Sequence, residues 1–292
     1  MSWRVVMVTT RSKLDYKMGH LVVRNDDGEK RILLDDISVL VCETTAISIT
    51  AYLLAELIEH KVKVVFCDNQ HNPYSELIPY RGSYDTSGKL RKQIAWSQDI
   101  KARTWQKIIQ AKISNQANVL DKIGHYEKAE QLRSYINEVE PGDPTNREGH
   151  VAKVYFNDLF DDEFYRGEND IRNHILDYGY TILLACFNRE IAASGYLTQI
   201  GLWHDNAENP FNLGSDLMES FRPIIDYFAV MHRDYKELGK DEKAAIINLL
   251  NTKVKIVGSE QYLNNAIGIY VKSVFNAIEE NNPEKILNWY EL

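Results

Sequence analysis

Two acidic residues that begin helix-like segments, and one histidine in a long loop, are of the types that bind divalent cations. Glu148 precedes an apolar-periodic segment, Glu219 stands in another, and His204 lies in the loop 201–215. Carboxylate oxygens and an imidazole nitrogen suit Mg²⁺ or Mn²⁺, and three such ligands leave positions open for water and a phosphate oxygen. One hypothesis is therefore that Glu148, His204 and Glu219 meet around a single cation.

Helix capping is the alternative interpretation of the same acids. Thr145 and Glu148 have the spacing of a capping box, and Asp216 and Glu219 resemble one with aspartate as the cap. A histidine beside a tryptophan in a loop is, by itself, more typical of an exposed or packed ring. The spacing along the chain leaves both interpretations open.

The motifs of several other chemistries are absent from the sequence. The chain has no pair of cysteines or histidines at zinc-ligand spacing, no P-loop, no serine nucleophile elbow and no GxGxxG sequence. Its three cysteines, Cys42, Cys67 and Cys186, are too few and too scattered for a disulfide framework. We therefore expect reduced, buried cysteines and no bound nucleotide cofactor.

Charge is distributed unevenly along a chain whose formal net charge is −8. Residues 81–115 contain eight Lys and Arg residues but only two acids, with Trp96 and Trp105 among them. Such a segment favours either a phosphate-binding face or an ordinary solvated helix surface over core tryptophans. The candidate DNA-binding residues are Lys89, Arg91, Lys92, Lys101 and Arg103.

Composition and periodicity predict two domains of different class in the 292 residues. Residues 1–78 contain short apolar and β-branched runs, with a hairpin signal at Asp-Asp-Gly 26–28 and one helix at 47–59. A Pro- and Gly-containing linker follows at 79–88, and helical periodicity dominates 89–292. The predicted fold class is α+β, a β-sandwich-like N-terminal domain followed by an α-helical domain.

The helical predictions within the second domain share apolar spacing of three and four residues. They are 90–113, 119–135, 147–160, 170–193, 216–230, 241–250 and 260–279. No apolar run is long enough for a signal peptide or a membrane span. We therefore expect a soluble, cytoplasmic protein.

Three blocks of the chain resemble, in order, the motifs of the universal CRISPR adaptation integrase family, CRISPR-associated protein one. They are Glu148-Gly-His-Val-Ala-Lys-Val-Tyr-Phe, Gly201-Leu-Trp-His204, and Asp216-Leu-Met-Glu219-Ser-Phe-Arg-Pro. Ile47-Ser-Ile-Thr50 and Val64-Val-Phe-Cys-Asp68 also look like that family's strand, helix and strand. The overall pattern is most similar to the type II-A branch.

The resemblance implies a catalytic metal, Mg²⁺ or Mn²⁺, with Glu148, His204 and Glu219 as its ligands. Asp216 matches a polar position of the family and would support those ligands. The chain departs from the family at Glu219, because other branches often carry Asp there. A longer side chain would shift the metal slightly.

The implied reaction is strand transfer, in which a 3′-hydroxyl of captured DNA attacks a phosphodiester at a CRISPR repeat. The implied partners are double-stranded DNA, a second copy of the chain, and a dimer of CRISPR-associated protein two. Two alternatives remain open, a stand-alone metal-dependent DNA endonuclease and a non-catalytic DNA-binding scaffold.

Overall fold

A computed structural model shows a mixed α/β protein with strands concentrated in its N-terminal quarter. It describes residues 4–69, 73–77, 85–160 and 164–291. The N-terminal strands are β1 (Arg4–Val8), β2 (Ser12–Lys17), β3 (His20–Asn25), β4 (Gly28–Leu33), β5 (Ile37–Cys42), β6 (Ile47–Ile49), β7 (Lys63–Cys67) and β8 (Pro73–Glu76). Helix α1 (Ala51–Glu59) lies between β6 and β7.

Within these residues the strands form two four-stranded sheets, ordered β1-β5-β7-β8 and β4-β3-β2-β6. The predicted hairpin is confirmed, since β3 and β4 pair antiparallel with Asn25 opposite Gly28. Gly28 has φ +119°, a conformation that side-chain-bearing residues rarely adopt. Strand β2 was not predicted, and residues 47–49 form β6 rather than the first turn of α1.

Strand β5 is buried along its whole length because it separates two hydrophobic cores. Val39 and Val41 pack with the helices that follow in the chain. Leu40 and Cys42 face the other way, into a core shared with the second sheet and α1. Alternate residues of a strand point to opposite faces, so one strand contributes to both cores.

The remaining chain is mainly helical. Its helices are α2 (Thr86–Ile94), α3 (Gln98–Lys122), α4 (Tyr126–Tyr135), α5 (Arg147–Leu159), α6 (Ile171–Ala193), α7 (Asn212–Met218), α8 (Arg222–Met231), α9 (Lys240–Asn248) and α10 (Leu263–Glu279). Its strands are β9 (Lys253–Ile256), β10 (Ser259–Tyr262) and β11 (Trp289–Glu291), which form a small antiparallel sheet in the order β10-β9-β11.

This small sheet corrects the prediction of a purely helical second region. Residues 259–262, predicted in part to begin a helix, pair instead with β9 through a turn in which Val257 and Gly258 have positive φ. The prediction of one helix over 119–135 is also wrong. Gly124 adopts φ +88° and ends the preceding helix, so α4 begins only at Tyr126.

The long helices α3 and α6 carry much of the helical core. Helix α3 begins at the cap Ser97, whose side chain accepts a hydrogen bond from the backbone N–H of Ile100. Trp105 is buried, and Trp96 packs partly buried against the same core, which agrees with the interpretation of both as core tryptophans. Cys42, Cys67 and Cys186 are free and buried, which confirms the cysteine prediction.

Most of the predicted linker 79–88 falls outside the described residues, and its last residues, 86–88, already belong to α2. The proposed division at 1–78 and 89–292 therefore stays a prediction. Across the described ranges, no helix is both long and apolar enough to cross a membrane.

Candidate active site

Glu148 lies in the first turn of α5 and is half-buried, and other residues cap this helix. Asn146, in the left-handed region at φ 50°, caps the helix by accepting from the N–H of Gly149. Asp143 accepts the N–H groups of Arg147 and Glu148 through its two oxygens, at 2.8 and 2.9 Å. The predicted capping box of Thr145 and Glu148 is therefore wrong, because Asn146 and Asp143 cap this helix end.

Glu219 lies in a short 3₁₀ turn, Glu219–Phe221, between α7 and α8, and is 3% exposed. The carbonyl of Ser220 in this turn accepts hydrogen bonds from Asn115 Nδ2 and Trp289 Nε1, both at 3.0 Å. These bonds attach the turn to α3 and β11. The position of the Glu219 backbone is thus determined by three separate parts of the chain.

Asp216 does not cap a helix, because α7 already begins at Asn212. Its buried carboxylate accepts the backbone N–H groups of Leu202, Trp203 and His204, at 2.6, 3.0 and 3.1 Å. Three backbone N–H groups of the loop before α7 therefore converge on a single anion, the carboxylate of Asp216. A Cβ on Gly201 would lie 2.3 Å from the His204 carbonyl, so this close approach requires glycine.

The same carboxylate orients the His204 ring. Asp216 Oδ1 lies 2.6 Å from His204 Nδ1, and since a carboxylate can only accept, Nδ1 carries the proton. The hydrogen bond that His204 donates to Asp216 is the main reason why the pKa of His204 is raised. In the neutral ring this arrangement leaves Nε2 as an acceptor, which is the usual state of a metal-binding histidine held by a carboxylate.

The ammonium group of Lys112 joins the two glutamates. Its Nζ lies 2.5 Å from Glu148 Oε1 and 2.6 Å from Glu219 Oε2. Lys112 comes from the middle of α3 and is 6% exposed. Burial would lower its pKa, but the negative charges of Glu219 and Glu148 outweigh that effect and the pKa is raised.

A second cation completes the surroundings of Glu219. Arg222 lies 3.0 Å from Glu219 Oε1, and its guanidinium also stands 4.8 Å from the centre of the Tyr180 ring. Burial would raise the pKa of Glu219, but Arg222 and Lys112 hold it below the ordinary value. Glu219 is therefore a buried carboxylate with one cation on each oxygen.

The three predicted ligands and the supporting Asp216 are thus brought together in two pairs. Glu148 and Glu219 share Lys112, while His204 is held by Asp216 and interacts electrostatically with Glu219. In the described part of the chain, no group of three or more His, Cys, Asp and Glu side chains has an arrangement that could hold a metal ion. The three-ligand assignment therefore stays a prediction.

The donor chemistry nevertheless fits a hard divalent cation. Two carboxylates already converge on one positive charge, that of Lys112, and an imidazole with a proton on Nδ1 interacts electrostatically with one of them, Glu219. Oxygen ligands with one imidazole nitrogen are suited to Mg²⁺ or Mn²⁺. Glu148, Glu219 and His204 remain the predicted ligands of such an ion.

Aromatic side chains line the loop side of the site. Trp203, 48% exposed, stacks on the buried Trp105 with ring centroids 5.8 Å apart and an interplanar angle of 9°. The rings of Trp105 and His204 are also nearly perpendicular, at 88°, with centroids 5.7 Å apart. These contacts limit the positions that the His204 ring can adopt.

The candidate DNA-binding cations differ in their environments. Lys89 donates to the Ser194 carbonyl, Lys92 pairs with Glu279, and Arg103 contacts Asp99 and Asn281. Within the described residues, the side chains of Arg91 and Lys101 have no such partner. Three of the five candidates are therefore already engaged by the protein itself.

Lys112 and Arg222 were not identified as site residues from the sequence. Lys112 stands next to Ile113 and three or four residues after Ile109 and Ile108, so it lies on the apolar side of α3. A lysine on a buried helix face needs an acidic partner, and that signal was available in the sequence. Arg222 stands three residues after Glu219, the spacing of an intrahelical ion pair.

Comparison with known proteins gives the family. The model of the family described as CRISPR associated protein Cas1 matches residues 5–243. The CRISPR-associated endonuclease Cas1 of Neisseria meningitidis serogroup C (strain 8013) is 32% identical over 291 residues, covering 98% of this chain and 95% of the relative.

Solved structures share the fold at lower sequence identity. A casposase bound to its integration product superposes with a TM-score of 0.77 at 20% identity, covering 97% of this chain and 92% of the other. A Cas6-RT-Cas1–Cas2 complex gives a TM-score of 0.75 at 18% identity, covering 99% of this chain and 36% of the longer one. With a family match over most of its length and a curated relative that spans almost all of it, the chain belongs to the CRISPR-associated Cas1 family of endonucleases.

Proposed function

We propose that this chain is a metal-dependent DNA integrase that inserts captured DNA at a CRISPR repeat. The observation that carries the proposal is the convergence of Glu148 and Glu219 on one buried positive charge, beside a histidine oriented by Asp216. The casposase, solved with its integration product, has the same fold. This similarity supports strand transfer, in preference to simple hydrolysis, as the proposed reaction of this chain.

The reaction exchanges one phosphodiester bond for another. The 3′-oxygen of the incoming strand forms a bond to phosphorus, and the bond from that phosphorus to the 3′-oxygen of the repeat strand breaks. The attacking hydroxyl loses a proton and the departing oxygen gains one. The number of P–O bonds is unchanged, so the reaction needs no ATP, in agreement with the absence of a P-loop from the sequence.

A bound Mg²⁺ or Mn²⁺ would polarise the phosphoryl oxygen and neutralise charge that develops on phosphorus. Glu148, Glu219 and His204 would hold the ion, and Asp216 keeps the His204 ring in the tautomer that presents Nε2. Before an ion binds, Arg222 and Lys112 hold the pKa of the buried Glu219 below its ordinary value. The protein thus maintains the negative charge that a divalent cation requires.

The proposed partners are duplex DNA, a second copy of this chain and a dimer of Cas2. The structural relatives that contain Cas1 together with Cas2 support the Cas2 partnership. Arg91 and Lys101 are the candidate DNA contacts most available to phosphate. A cytoplasmic location and the type II-A branch complete the proposal.

Strand transfer of a labelled duplex into repeat-bearing DNA tests the proposal. Glu148→Gln and Glu219→Gln are expected to lower the rate by at least 10²-fold, since each removes a charged ligand. Glu127→Gln is the matched control, because Glu127 occupies the first turn of α4 and is exposed. Full strand transfer by both site variants would refute the ligand assignment.

The products separate integration from the endonuclease alternative that the names of the curated relatives raise. An integrase joins the labelled strand to the repeat-bearing DNA, whereas a stand-alone endonuclease yields only cleaved fragments with no preference for the repeat. A non-catalytic scaffold would bind DNA in the presence of a chelator and yield neither product.

A further inference from the structure

The buried ammonium of Lys112 occupies the position between the two glutamates that are the proposed metal ligands. It lies within 2.6 Å of an oxygen of each, and its side chain is 8% exposed. Other lysines of α3 do not share this environment. Lys107, five residues earlier on the same helix, pairs with the exposed Glu284 and is itself 29% exposed.

The surrounding structure holds Lys112 in this place. Helix α3 packs against the turn Glu219–Phe221, and Asn115, one turn after Lys112, donates to the Ser220 carbonyl. The ammonium is thus positioned by the same elements that position Glu219. A divalent ion bound to the two oxygens that Lys112 contacts, Glu148 Oε1 and Glu219 Oε2, would meet the ammonium at close range, and the repulsion between the two positive charges is large in a buried site.

We propose that Lys112 is an internal counter-cation that keeps the two glutamates together in the absence of metal and must leave them when a divalent ion binds. This inference rests on the proposed metal site. Lys112 is a positioning residue in this scheme, since it acts through Glu148 and Glu219. It also implies that the protein opposes its own metal binding.

Removal of the positive charge tests the competition directly. Lys112→Gln keeps hydrogen-bond donors but carries no charge, and Lys112→Arg keeps the charge. Mn²⁺ is titrated into each purified full-length protein, and the free ion is measured by its electron paramagnetic resonance signal. We expect Lys112→Gln to bind Mn²⁺ at least tenfold more tightly than wild type, whereas Lys112→Arg and the control Lys107→Gln do not.

The possible outcomes distinguish this inference from the proposed function. Equal or weaker Mn²⁺ binding by Lys112→Gln, with normal binding by wild type, would overturn the role of Lys112 and leave the metal site intact. If Mn²⁺ bound neither protein, the metal site and this inference would fail together. The same holds if the double variant Glu148→Gln/Glu219→Gln bound Mn²⁺ with the affinity of wild type.

A second measurement uses the wild-type protein and does not depend on the folding of a variant. Lysine acetylation by an amine-reactive reagent is followed residue by residue by mass spectrometry, with and without saturating Mn²⁺. Lys112 should be protected without the ion and react several-fold faster with it, while Lys107 reacts equally in both. Protection of Lys112 that persists with the ion bound would contradict the displacement.

Discussion

Two lysines, one in the N-terminal strands and one in the helical region, are buried to almost the same extent, but their pKa values shift in opposite directions. Lys63 of β7 is 4% exposed and pairs with one carboxylate, that of Glu76. Lys112 of α3 is 6% exposed and lies between two, Glu148 and Glu219. Burial lowers the pKa of Lys63 to about 7, and nearby Arg189 contributes to the shift, whereas the pKa of Lys112 is raised.

The two lysines are almost equally buried, and the pKa is raised only at Lys112, where two carboxylates face the ammonium. Desolvation opposes the charged form of both lysines. Only at Lys112 do two carboxylates compensate for it, and these are the carboxylates of the candidate active site. Lys63 joins β7 to β8 through its pair with Glu76, while Lys112 keeps a charge where chemistry is proposed.

The largest expected effect is on stability when the Lys112 charge is removed. Lys112→Met leaves Glu219 with Arg222 alone, so we expect the free energy of unfolding without metal to fall by about 3 kcal/mol. Urea unfolding of the metal-free protein measures this free energy. Lys107→Met, which breaks a solvent-exposed pair, should cost less than about 1 kcal/mol. Equal losses for the two variants would contradict the comparison.

The pH dependence of unfolding tests Lys63. Its folded pKa is lowered to about 7 from 10.5, so above pH 7 the unfolded chain binds more protons at this site and stability rises with pH. From pH 7 to pH 9, wild type should gain about 2 kcal/mol relative to Lys63→Met. A constant difference between the two proteins would show that Lys63 keeps its charge.

Asp226 extends the comparison to a buried acid without a close cation on each oxygen. Burial raises its pKa from 3.8 to about 6, although Tyr180 donates a hydrogen bond to it. The folded state therefore binds more protons between pH 4 and 6, and stability falls as pH rises through that range. From pH 4 to pH 7, wild type should lose about 2 kcal/mol relative to Asp226→Asn. Parallel pH profiles of the two proteins would refute the shift.

The smallest effects concern the surface cations of α2 and α3. Arg91→Gln and Lys101→Gln should each reduce the slope of log affinity for duplex DNA against log salt by about 1, as expected for loss of one phosphate contact. Lys92→Gln is the control, because Lys92 already pairs with Glu279. If the control lowers the slope as much as the other two, the internal pairing does not limit DNA binding.

Local periodicity predicted elements that depend on their own residues. Strand β5 and helices α5 and α6 have nearly the predicted bounds, because their apolar spacing agrees with their final burial. The prediction failed at β10 and at the start of α7. Residues 259–262 form a strand through pairing with β9. Helix α7 begins four residues before Asp216, whose carboxylate accepts hydrogen bonds from the loop and does not cap a helix.

The sequence by itself determined the residue types of the site, its motif blocks and the family resemblance, since these depend on local order along the chain. Tertiary structure alone decided that Lys112 lies between Glu148 and Glu219 and that Asp216 organises the loop carrying His204. These contacts join residues 36, 107 and 12 positions apart. Spacing along a chain does not specify such approaches, because they arise only when helices pack and buried charges must find partners.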